Sequence, residues 1–97
     1  MPIDTENELS EILCQLSKAN GYFDCEKVIT QHIKKQIVNG VAFSVIKKYL
    51  KTILRHFDGL ALKTGLPADC DNYRFAACFV KTLVTTSYWY SWIKRNN

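Results

Sequence analysis

Apolar residues recur along this chain at intervals of three and four, the spacing that gathers side chains on one face of an α-helix. Leu9, Ile12, Leu13 and Leu16 make a first stripe. The preceding Thr5-Glu6-Asn7-Glu8 fits a capping box, in which a Thr hydroxyl and a Glu carboxylate satisfy free backbone N–H groups, so a helix is expected from Thr5 until Asn20-Gly21. A second stripe, Cys25, Val28, Ile29, Ile33 and Ile37, is expected to be capped by Asp24 and to end at Asn39-Gly40, with His32 and Gln36 inside it.

The third segment is the cleanest amphipathic one. Ala42, Val45, Ile46, Tyr49, Leu50, Ile53, Leu54 and Phe57 share one side, Asp58-Gly59 reads as the stop, and Leu60 to Leu66 as one further helical turn. Gly65, Pro67 and the Asp69/Asp71 pair then mark irregular chain. The last segment, Asn72 to Lys94, carries the stripe Ala76, Phe79, Val80, Leu83, Val84, Ser87 and Tyr90 if it is one helix, despite the β-prone run Val84 to Tyr90. Cys78, Lys81, Thr85, Tyr88, Trp89 and Trp92 point away from that stripe, so the final turns are apolar almost all round.

These elements predict an all-α fold, a compact bundle of four main helices with short connections. A length of 97 residues at 47% hydrophobic suits one modest core, hence a single helical domain over 1–97. The longest apolar run, Phe75 to Val80, is far short of a membrane span, and the acidic start lacks the order of an export signal, so no membrane association and a cytoplasmic location are expected. Cys14, Cys25, Cys70 and Cys78 then read as reduced thiols, Cys25 as a small buried hydrophobe.

The net charge of +4 is unevenly spread. Residues 1–26 hold six acids against Lys18 alone, whereas Lys27 to Lys63 hold eight bases against Asp58. On the third helix Lys47, Lys48, Lys51 and Arg55, with Ser44 and Thr52, share the side opposite the apolar stripe, and Lys34 and Lys35 could extend that basic face. Such a stripe is a solvated face by default and a contact for phosphates or an acidic protein otherwise.

Catalytic and metal chemistry find no support in these patterns. No C-x-x-C or H-x-x-x-H pair seeds a zinc site, and Asp69-Cys70-Asp71-Asn72 lacks the glycine and distal Glu of a calcium loop, so neither metal nor cofactor is expected. Ser44-Val45-Ile46-Lys47 and Lys63-Thr64-Gly65 match short elements of penicillin-recognising serine enzymes by chance, because those enzymes need a large mixed scaffold. His32 reads as a core histidine, and His56 as a residue near a helix C-terminus.

The aromatic tail is more distinctive. Tyr88, Trp89 and Trp92, rimmed by Lys81, Lys94 and Arg95, have the composition of a binding hot spot if partly exposed. The expected function is therefore a small helical protein-binding module, of adaptor, chaperone or inhibitor type and without enzymatic activity. It would occlude or bridge a surface of a larger complex, as small inhibitors encoded by phages and mobile elements do. The alternative is nucleic-acid binding through the basic helix face, and homodimerisation would also use such surfaces.

Overall fold

A computed structural model describes residues 3–63, 67–86 and 88–95. Five helices follow in order: α1 (Thr5–Ser17), α2 (Tyr22–Val38), α3 (Phe43–Lys63), α4 (Pro67–Thr85) and α5 (Tyr88–Arg95). Four long helices thus form the expected all-α bundle, with a short fifth in place of the end of the fourth. α4 lies at its centre, in contact with α1, α2 and α3, while α5 reaches back to α2.

The stripes read from the sequence converge on one cluster. Ile12 and Leu16 of α1, Cys25, Ile29 and Ile33 of α2, Ile46, Leu50, Ile53 and Phe57 of α3, and Ala76 and Val80 of α4 are all buried. Each large apolar side chain withdrawn from water contributes about 1.5–3 kcal/mol, which makes these stripes the main source of cohesion.

Several helix ends differ from expectation. Asp4 rather than Thr5 caps α1, its carboxylate accepting from the backbone N–H of Asn7 at 3.5 Å. Glu8 does not close a capping box, because its carboxylate is engaged by α2 instead. Asp24 does not cap α2, which begins at Tyr22 behind the N-cap Gly21; the Asp24 carboxylate accepts from the N–H of Asn20 at 2.8 Å and so ties down the preceding turn. At Gly21 and Gly40 the backbone takes φ of 87° and 81°, a region in which a side chain is strained.

α3 runs on through Gly59 to Lys63, and α4 starts at Pro67, several residues before the expected start at Asn72. One glycine in a helix costs about 1 kcal/mol, and the helix-favouring Leu60-Ala61-Leu62-Lys63 behind it, with Leu60 half-buried, outweighs that. Proline at a first helical position loses no hydrogen bond there. His56 consequently lies two turns before the end of α3 and has no C-terminal dipole to meet. Ala42 is exposed, just before α3, and Val41 takes the buried place beside it. Residues 64–66 of the expected turn, the stripe position Ser87, and the side chains of Lys63, Asp69, Cys70 and Lys94 lie outside the described residues.

Asn72 supplies an interaction that periodicity does not reveal. It is buried in α4, and its amide donates to the carbonyls of Leu16 at 2.9 Å and Ala19 at 3.1 Å. The Leu16 carbonyl is in the last turn of α1, where it also accepts from the Ala19 N–H at 3.1 Å, and Ala19 lies just past the helix end. One side chain therefore caps α1 and fixes its register against α4.

Candidate functional site

The expected single helix from Asn72 to Lys94 breaks at Thr86. Local competition for the carbonyls accounts for this: the hydroxyls of Thr82, Thr85 and Thr86 all donate to backbone oxygens three or four residues earlier, at 3.0–3.2 Å. Such back-bonding bends helices, and Val84-Thr85-Thr86 is a β-branched run of weak helix propensity. Trp89 then closes over the break. Its indole Nε1 donates to the carbonyls of Leu83 at 2.7 Å and Thr86 at 2.9 Å, the acceptors left over at the end of α4.

The break resets the helical phase, and this decides which aromatics face water. Trp89 is only 6% exposed and Ile93 is buried with it, while Tyr88 is 76% and Trp92 58% exposed. Tyr88, Trp92 and Arg95 follow at i, i+4 and i+7 and share the outward face of α5. Of the three expected contact aromatics, Trp89 is thus a core residue. Phe43 of α3 packs against Trp89 at 5.6 Å and Tyr90 at 4.8 Å between ring centroids, so α5 is seated on the start of α3. The Lys47 ammonium lies 5.8 Å from the Phe43 centroid, one turn further along.

Lys48, Lys51 and Arg55 are exposed on α3 and Lys47 is half-buried beside Phe43. Among the described residues none of them pairs with a carboxylate, so the cationic face is open. Lys35 does not belong to it. Its ammonium donates to both Glu8 oxygens, at 3.2 and 3.3 Å, and to Glu11 at 3.0 Å, which neutralises it against α1 and raises its pKa. Leu62 is 87% exposed two heptads beyond Lys48 on the same line of α3. The sequence reading missed it because the helix was expected to end at Gly59.

Glu8, His32, Gln36 and Tyr49 form the polar group closest to a chemical constellation. His32 Nε2 is 2.7 Å from the Tyr49 hydroxyl, its Nδ1 is 3.6 Å from Glu8, and Gln36 donates to the same Glu8 oxygen at 3.2 Å. Burial lowers the pKa of His32, outweighing the Glu8 and Glu11 charges, and raises that of Tyr49. A neutral imidazole accepting from the hydroxyl, with Nδ1–H toward Glu8, satisfies every partner. The arrangement pins α1, α2 and α3 together, which is the role of a core histidine.

Among the described residues, clefts indent the surface at several places. About 610 Å³ lies between Ile3 and Thr5 on one side and Ser44, Val45 and Thr52 of α3 on the other. About 200 Å³ lies over His32 between α1 and α2. About 330 Å³ lies between α3 and α4. Among the described residues, no group of three His, Cys, Asp or Glu side chains could hold a metal ion, and no helix is long and apolar enough to cross a membrane. Cys14 and Cys78 are exposed free thiols, and Cys25 is buried, its pKa raised by that burial. No protein-family model matches the chain, and comparison with curated proteins and with solved structures returns no match.

Proposed function

We propose that this chain is a small helical protein-binding module of adaptor, chaperone or inhibitor type, which occludes or bridges a surface of a larger complex through the outward face of α5. The observation that carries the reading is the division of one short helix: Trp89 and Ile93 anchor it, while Tyr88 and Trp92 stand in solvent beside Arg95. Tyr, Trp and Arg are the residues most enriched at interface hot spots, and aromatics on a rigid, anchored helix lose little entropy when they bind. The reading includes a single domain, no catalysis and a cytoplasmic setting. Its test is the comparison of partners retained by the wild type and by Tyr88→Ala/Trp92→Ala, with circular dichroism verifying that the variant is folded.

A second reading rests on the open cations Lys48, Lys51 and Arg55: nucleic-acid binding along α3. Phosphate binding weakens by orders of magnitude between low and moderate salt, whereas an aromatic-centred interface responds weakly. A salt titration of the isolated complex therefore separates the two, and sedimentation at several protein concentrations tells either from a homodimer.

A further inference from the structure

The cationic residues of α3 continue across a cleft onto α4. Lys47, Lys51, Leu54 and Asp58 succeed one another by steps of three and four down one flank of α3, and Arg74, Cys78 and Lys81 do so on α4, with Ala77 beside them. Leu54 and Asp58 face Arg74, Ala77, Cys78 and Lys81 across the 330 Å³ cleft. Arg74, Cys78 and Lys81 are exposed, Leu54 is half-buried and Ala77 is buried. No acid occurs from Lys27 to Phe57 or from Asn72 to Asn97, and among the described residues that line the cleft Asp58 is the one carboxylate.

We propose that this α3–α4 face docks an acidic protein segment, with one apolar side chain of that segment in the cleft over Leu54 and Ala77 and carboxylates on Lys47, Lys51, Arg74 and Lys81. Charge complementarity selects an anionic occupant. The floor decides its class: its apolar residues, Leu54 and Ala77, are aliphatic and suit an apolar side chain but offer no ring on which a base could stack. The exposed Leu62 further along α3 suits a protein surface in the same way. This site is separate from the outward face of α5, so it extends the partner-binding reading to a second contact and the two can fail independently.

Cys78 supplies a reporter inside the cleft and Cys14, on α1, a control outside it. The probes are a labelled peptide of Glu and Leu, its Gln/Leu counterpart and an oligothymidylate. Affinity is read by fluorescence anisotropy, and alkylation of each thiol by iodoacetamide is followed by mass spectrometry. The Glu/Leu peptide should bind more tightly than the other two and slow alkylation of Cys78 about fivefold or more while leaving Cys14 unchanged. Lys51→Glu/Arg74→Glu, with both sites exposed and the fold checked by circular dichroism, should weaken binding about tenfold or more. Trp92→Ala should bind the peptide as the wild type does. Unprotected Cys78, undiminished binding by the charge-reversed variant, or tighter binding of oligothymidylate with protection of Cys78 would each overturn the proposal. Loss of peptide binding in Trp92→Ala would overturn it too, by moving the contact to α5.

Discussion

The indole of Trp89 donates to the carbonyl of Leu83 at 2.7 Å, across the break between α4 and α5. That bond goes with one tryptophan in the core, while Trp92 stands with Tyr88 on the outward side of α5. Trp89→Ala should accordingly cost about 3–5 kcal/mol, through the cavity, the lost packing on Phe43 and two unsatisfied carbonyls. Trp92→Ala should stay within about 1 kcal/mol of the wild type. Urea unfolding midpoints of the two variants measure the contrast, and equal losses would mean that both rings belong to the core.

Acid should weaken the fold through His32. Its pKa in the folded chain lies below the ordinary 6.5, so protons bind the unfolded chain more readily. The neutral imidazole's contribution is complete above pH 6.5, and is lost as pH falls through the lowered folded value. The wild type should therefore lose more stability between pH 7 and pH 5 than His32→Gln, which cannot titrate there. Parallel pH profiles of the urea midpoints would remove His32 from the account. Tyr49→Phe should cost about 1–3 kcal/mol at pH 7, by leaving a buried ring nitrogen without its donor.

Asn72 gives the sharpest test of how α1 is terminated. Asn72→Ala should cost about 1–3 kcal/mol, because the Ala19 carbonyl loses its side-chain donor and the Leu16 carbonyl keeps only the Ala19 N–H. Asn72→Asp should cost more at neutral pH, where a carboxylate would face two carbonyl oxygens, and part of that excess should return when the carboxyl is protonated. Thermal unfolding of both variants at pH 7 and pH 4 gives the comparison.

Much of the bundle was legible because its cause is local and periodic. The stripes of α1, α2 and α3 place Ile12, Ile29 and Leu50 in the core by spacing alone, and Asn39-Gly40 ends α2 where left-handed backbone is required. The misjudged features depend on competition that a periodic pattern does not show, part of it between groups far apart in sequence. Glu8 leaves its own helix start for Lys35, Asn72 reaches back to α1, and the helix propensity around Gly59 is weighed against the burial of Leu60. At the candidate site the composition pointed to the aromatic tail. The assignment of Trp89 to the interior followed from the phase reset at Thr86, which a uniform 100° wheel cannot anticipate.

The central claim is that the outward face of α5 is a contact surface, and differential affinity capture from the native cell tests it most directly. Immobilised wild type, Tyr88→Ala/Trp92→Ala and Lys48→Glu/Arg55→Glu would be compared, and the retained proteins quantified by mass spectrometry. The account predicts at least one protein held by the wild type and by the charge-reversed variant, and depleted about tenfold or more by the aromatic double substitution, as expected for the loss of hot-spot side chains. Retention of the same proteins in the same amounts by the folded aromatic variant would contradict it.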